Sequence, residues 1–110
     1  MVVSIERNGQ RLFHAALPGT AADNDAWVER KARVVRRYGH SSYLVGCRFR
    51  AQGGTFEEKS RLNPDEYAAH GGSFPLIVKN VGVVGSITVS GLPQAHDHAF
   101  VVEQIERYLG

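Results

Sequence analysis

The chain has 110 residues, of which 43% are hydrophobic and 22% charged, a balance typical of one globular domain spanning residues 1–110. Its 13 basic and 11 acidic residues leave a formal charge of +2, which is too small to indicate a dedicated nucleic-acid-binding protein. No apolar run approaches the ~20 residues of a membrane span, no signal peptide is recognisable, and the single cysteine cannot form an internal disulfide. These features predict a cytoplasmic protein without a membrane-spanning segment.

A β-hairpin is predicted for residues 2–17. Val3 and Ile5 alternate with polar neighbours, as in a strand that buries one face. Asn8-Gly9 supplies the favoured two-residue turn between antiparallel strands. Because the hydrophobic pattern and the turn residues agree, both strands of this hairpin are expected to form.

A helix is predicted from a cap at Asp23 or Asn24 to Tyr38, with Gly39 as its C-terminal stop. Five residues at helical spacing form its inward-facing stripe, namely Trp27, Lys31, Val34, Val35 and Tyr38. The opposite face carries four arginines, namely Arg30, Arg33, Arg36 and Arg37. Such a basic face is usually solvated, although it could also bind an anionic ligand or an acidic partner.

The segment 42–50 is ambiguous. Apolar residues alternate along it, which favours a strand. Ser41 or Ser42, however, is a good helix cap, and Val45 and Phe49 stack at helical spacing, which favours a helix. The residues alone leave both alternatives open.

A short helix is predicted to begin at Asn63. The order Asn63-Pro64-Asp65-Glu66 places a cap residue first, proline at the first helical position and two acids in the first turn. Gly71-Gly72 is expected to end this helix.

A second hairpin and a final helix complete the chain. Residues 74–79 and 81–89 have the pattern of strands around a turn at Asn80. Residues 93–109 predict a helix whose apolar stripe also carries His98. The predicted fold class is therefore α+β, with an antiparallel sheet of two hairpins and helices packed on it.

Several segments have a distinctive residue order. The two longest are Tyr-Ala-Ala-His-Gly-Gly-Ser-Phe-Pro at 67–75 and Gly-Val-Val-Gly-Ser-Ile-Thr-Val-Ser-Gly-Leu-Pro at 82–93. Shorter ones lie at 7–10, 12–14, 39–42 and 97–98. Together they closely resemble the heme-degrading-domain family, which includes glycolate-utilisation-like proteins, secreted heme-binding sensors and C-terminal domains of some propanediol-utilisation adenosyltransferases. The resemblance covers nearly the whole chain, and the small cytosolic members of the family are the most similar.

This resemblance implies a profilin-like sheet with helices, a homo-oligomer, and a helix rather than a strand at 42–50. It also implies an N-terminal helix before the first hairpin, which this chain does not contain. Without that helix, one face of the sheet is expected to be uncovered. The partner that the resemblance implies is a small molecule, with heme as one candidate.

Candidate ligand-binding residues cluster in two glycine-containing turns, because glycine lets the backbone approach a ligand closely. They are His70, Gly71, Gly72, Ser73 and Phe74 in the first turn, and Ser90, Asp97 and His98 in and after the second. His70 is a candidate heme-iron ligand or acid-base group, unless it only satisfies carbonyl groups at the end of its own helix. Asp97 lies near a helix N-terminus, where a carboxylate is stabilised, and His98 is expected to face the sheet. No zinc-type spacing is present, so a structural metal site is not expected.

Three functions remain open on the sequence. The favoured one is the binding of a small ligand, heme among the candidates, in a pocket built from the two turns. The second is an enzyme acting on heme or a small carbon compound, with His70 or His98 as the acid-base group. The third is an oligomeric protein-interaction scaffold, which predicts no enclosed pocket. The Arg30, Arg33 and Arg37 face could meet heme propionates or an acidic partner.

Overall fold

The computed structural model describes residues 1–110 and contains one four-stranded sheet. Strands β1 (Val2–Arg7) and β2 (Gln10–Ala16) form the first predicted hairpin, and β3 (Ser73–Val78) and β4 (Gly82–Ser90) form the second. β1 lies beside β4, which gives the order β2-β1-β4-β3 with every pair antiparallel. Both hairpins and the predicted α+β class are confirmed.

Helix α1 (Ala22–Tyr38) begins earlier than predicted. Neither Asp23 nor Asn24 is its cap, because Ala21 occupies that position. The Asn24 side chain instead accepts a hydrogen bond from the Ala21 N–H at 3.0 Å, from inside the first turn. Gly39, with φ 72°, ends the helix as predicted.

The ambiguous segment forms helix α2 (Ser42–Ala51), as the resemblance implies. Ser41 is its cap, since its Oγ accepts a hydrogen bond from the Leu44 N–H at 3.1 Å. The helix turns Val45 into a buried cluster with Val34 of α1. Val45 reaches this cluster because the segment is helical. The alternation of apolar residues along the segment does not correspond to a strand.

The helix predicted from Asn63 to Gly71-Gly72 does not form. The chain makes a single turn over residues 64–66 and then runs without regular structure to β3. Asn63 closes the turn itself, because its Oδ1 accepts a hydrogen bond from the Asp65 N–H at 2.9 Å. A five-residue helix that the sequence did not predict, α3 (Phe56–Ser60), precedes this turn.

The basic face of α1 is only partly solvated. Arg30 and Arg33 donate hydrogen bonds to the carbonyl oxygens of Pro64 and Glu66, at 3.0 and 3.1 Å. These bonds give backbone carbonyls of the irregular segment the partners that a helix would otherwise supply. Arg36 pairs with the carboxylate at the end of β1 at 2.8 Å. Three of the four arginines therefore hold the chain together.

The two faces of the sheet differ in polarity. The face towards α1 carries buried short polar side chains, namely Ser4, Ser73, Ser86, Thr88 and Ser90. The opposite face carries apolar ones, namely Val3, Ile5, Phe74, Leu76 and Ile87. Helix α4 (Gln94–Leu109) covers part of this apolar face and leaves a cavity of about 550 Å³, here called the outer groove. None of the helices has the length and apolar character needed to cross a membrane.

Candidate ligand pocket

A cavity of about 280 Å³ opens where α1 and α4 begin, and we call it the α1–α4 pocket. Four of the predicted site residues line it together, namely His70, Gly71, Ser90 and Asp97. Helix α1 adds Trp27 and Lys31. The sequence analysis assigned both of these to an inward stripe and missed their place in the site. The two predicted turns therefore do meet, and α1 closes the space between them.

The remaining predicted site residues lie outside the α1–α4 pocket. Gly72 and Ser73 are buried, and the Ser73 hydroxyl is hydrogen-bonded within the sheet. Phe74 lines the outer groove on the opposite face. His98, predicted to face the sheet, instead stacks on Tyr43 of α2, with ring centroids 4.8 Å apart and planes 19° from parallel.

Lys31 lies in the floor of the pocket and is only 2% exposed. Its ammonium group donates to the carbonyl oxygens of Gly71 and Val89, at 3.0 and 2.7 Å. The third hydrogen bond reaches Asp97 Oδ2 at 3.2 Å, so all three donors have partners. Burial lowers the pKa of Lys31, and the adjacent Asp97 carboxylate opposes that effect. The sequence did contain a signal for this arrangement. A lysine in an otherwise apolar stripe needs a buried acceptor, so Lys31 could have predicted a buried acidic partner.

Asp97 is as deeply buried as Lys31. Its Oδ1 accepts a hydrogen bond from the Leu92 N–H at 3.0 Å, and its Oδ2 lies 3.4 Å from the Gly91 nitrogen. Both carboxylate oxygens are thus engaged by the β4–α4 turn and the lysine. Asp97 holds three parts of the chain in place and is poorly suited to take a proton from a ligand.

His70 and Trp27 form an aromatic wall of the pocket. Their ring centroids are 4.9 Å apart with planes tilted by 52°, and the Arg30 guanidinium lies 4.3 Å from the centre of the tryptophan ring. No helix ends at His70, so the alternative role as a cap of its own helix does not apply. Burial lowers the pKa of His70, Glu57 opposes this, and the cations Arg30 and Lys31 lower it further. The imidazole is therefore neutral at neutral pH.

The free energy of unfolding should fall in mildly acidic solution because of His70 and His98. Burial lowers the pKa of both imidazoles. As the pH drops below the ordinary histidine value, the unfolded chain binds more protons than the folded chain, and stability is lost. Urea unfolding at neutral and mildly acidic pH measures the difference. His70→Gln and His98→Gln should each reduce it, whereas substitution of the exposed His96 should not. If the variant with both His70→Gln and His98→Gln lost as much unfolding free energy between the two pH values as the parent does, the assignment to these two histidines would be wrong.

The family model described as "Haem degrading protein HbpS-like" matches residues 1–106. UPF0303 proteins of Streptomyces avermitilis and Streptomyces coelicolor are 67% and 68% identical to the chain over 109 and 110 residues. A UPF0303 protein of Burkholderia cenocepacia is 51% identical over 110 residues. The matched regions cover 99% to 100% of this chain and 67% to 70% of these relatives. The chain thus spans about two thirds of the length of the curated proteins it matches.

Solved structures have the same fold. The crystal structure of Ybr137w superposes with a TM-score of 0.78 at 35% identity, covering 94% of this chain and 65% of that chain. The crystal structure of HbpS superposes with a TM-score of 0.68 at 23% identity, covering 90% of this chain and 67% of that chain. With a family match over nearly its whole length, this chain belongs to the HbpS-like haem degrading protein family.

Proposed function

We propose that this chain is a binding module that holds a small polar molecule in the α1–α4 pocket. The observation that carries the proposal is the construction of this pocket. An aromatic wall of Trp27 and His70 stands over a floor whose buried ion pair is fully hydrogen-bonded. The volume of about 280 Å³ lies just below the range of sites for drug-sized ligands, which begins at roughly 300 Å³. A ligand somewhat smaller than a drug-sized molecule suits this space.

Heme, the ligand that the family description suggests, does not fit the α1–α4 pocket. His70 offers a neutral imidazole, which is a common axial ligand of heme iron. A heme also needs an apolar slot for its macrocycle, and only Trp27 and Leu92 are hydrophobic among the 11 lining residues. The pocket is too small and too polar for the porphyrin. We therefore assign the pocket to a smaller ligand.

Binding also accounts for the geometry better than acid-base catalysis or a scaffold does. His70, Ser90 and Asp97 share the pocket, as the enzyme hypothesis requires. The Asp97 carboxylate, however, is engaged by Lys31 and by backbone N–H groups, so it neither orients nor activates the imidazole. A scaffold role leaves the aromatic wall of Trp27 and His70 without a purpose.

Fluorescence of Trp27 tests the proposal directly, because it is the only tryptophan in the chain and lines the pocket. Titration with propionate, propionamide, propylamine and glycerol should give a saturable change with at least one of them. His70→Ala should weaken that binding about tenfold, as expected for the loss of roughly 1.4 kcal/mol of contact energy. The matched control is His96→Ala on the exposed side of α4, which should bind like the parent.

A parallel titration with heme decides the competing assignment. We expect no shift of the Soret band that depends on His70. A shift that vanishes in His70→Ala, combined with no response to the four small molecules, would overturn the proposal in favour of heme.

A further inference from the structure

We propose that the ligand of the α1–α4 pocket is a small carboxylate, bound through its two oxygens by donors that the chain leaves unpaired. This inference rests on the proposed function and adds the chemical class of the ligand. It rests on two helix termini, the orientation of two amide side chains, a serine hydroxyl and the local charges.

Two long helices begin at this pocket. Asp23 and Asn24 from the first turn of α1 and Gln94 from the first turn of α4 all line it. Neither N-cap residue, Ala21 or Pro93, provides a side-chain cap. The first N–H groups of a helix have no partner within the helix, and they carry its positive partial charge. The N–H groups of Asn24 and His96 are already bonded to the carbonyl oxygens of Ala21 and Pro93, so the N–H groups that precede them in each helix are the ones that favour an anion beside the cavity.

The two amide side chains of the pocket present hydrogen-bond donors. Asn24 Oδ1 accepts from the Ala21 N–H at 3.0 Å, and Gln94 Oε1 accepts from the Gly71 N–H at 3.1 Å. Because backbone donors engage both amide oxygens, the NH₂ groups are the ends left for a ligand. A ligand held by these groups must bring acceptor atoms.

Ser90 adds a hydroxyl group to the pocket. It is only 4% exposed, lies on the α1-facing side of the sheet and lines the pocket. Its hydroxyl takes part in none of the side-chain hydrogen bonds of the structure, although Ser42 and Ser73 nearby use theirs. The Ser90 Oγ is not among the buried polar atoms that lack a partner, so it is reachable from the pocket and can bond to a ligand oxygen.

The ionised side chains that line the pocket are Asp23, Lys31 and Asp97, so the attraction for an anion comes from the helix termini and the neutral donors, and one negative charge on the ligand is opposed less than two. Lys31 and Asp97 neutralise each other, and His70 is uncharged at neutral pH. No arginine lines the cavity, so a doubly charged phosphate would lack a counter-charge. Asp23 is a carboxylate at the rim with no ion-pair partner, and it opposes an anion. Removing the charge of Asp23 should therefore strengthen the binding of an anion.

The test compares three molecules of nearly equal size by Trp27 fluorescence at constant ionic strength, namely propionate, propionamide and propylamine. Propionate should bind about tenfold more tightly than propionamide, because charge-assisted hydrogen bonds are the stronger ones. Asp23→Asn should tighten propionate binding about two- to fivefold and leave propionamide unchanged. Ser90→Ala should weaken propionate binding about five- to tenfold. Inorganic phosphate should bind more weakly than propionate.

The controls keep the two proposals separable. Glu58→Gln removes an exposed carboxylate that does not line the pocket and should bind like the parent, and thermal unfolding checks that each variant is folded. If propionamide or propylamine binds as well as propionate, or if Asp23→Asn weakens propionate binding, the carboxylate assignment fails while the pocket remains a binding site. If none of the molecules changes the fluorescence, both proposals fail.

Discussion

Replacing Lys31 with methionine should lower the free energy of unfolding by about 3–5 kcal/mol, the typical cost of leaving one buried charge without its partner. Methionine fills a similar volume but cannot donate, so the carbonyl oxygens of Gly71 and Val89 lose a hydrogen bond and Asp97 loses its cation. Because domains are stable by only about 5–15 kcal/mol, this loss is a large fraction of the total. Urea unfolding measured against the parent gives the difference.

A double variant identifies the cause. The double variant Lys31→Met/Asp97→Asn should lose less than the sum of the two single variants, because each single change orphans the other partner. A single variant within about 0.5 kcal/mol of the parent, the range of ordinary surface substitutions, would contradict the role given to the pair.

Gly71→Ala should cost at least about 1–3 kcal/mol, the usual penalty for forcing atoms into a packed interior. A Cβ at this position would clash with the Gln94 carbonyl oxygen and would lie 2.9 Å from the Tyr43 ring. The backbone of α4 would have to move, and the pocket with it. Thermal unfolding and Trp27 fluorescence together should report both effects.

Gly54→Ala is the matched control for this substitution. Its Cβ would meet only the side chain of Lys59, which can swing away, so the variant should unfold close to the parent. Equal losses in the two variants would show that close packing at Gly71 is not the reason for its glycine.

Local signals account for the parts of the fold that could be predicted. Asn8 and Gly9 adopt positive φ of 52° and 78°, the backbone that their sequence favours in a two-residue turn, and Asn80 does so in the second hairpin with φ 65°. The predicted helix at Asn63 failed for a non-local reason. Arg30 and Arg33, more than 30 residues away, bind the carbonyl oxygens of that segment in an irregular path. No signal within the segment carries that information.

The site was predictable only in part for a similar reason. The glycine turns led to His70, Gly71, Ser90 and Asp97, which do line one pocket. The explanation offered for Gly71, close approach to a ligand, was incomplete, because its missing side chain first of all makes room for α4. Trp27 and Lys31 were missed because helical spacing shows which side of a helix points inward, but not what lies opposite that side.

Helix α4 covers only part of the apolar face of the sheet. Side chains at the edge of the outer groove remain in water, with Tyr108 90% and Leu109 77% exposed. A second copy that covered this surface, as in the homo-oligomer that the resemblance implies, would bind the folded chain and not the unfolded one. By mass action, the apparent unfolding temperature would then depend on protein concentration. Parent and variant are therefore comparable only when they are measured at one fixed concentration.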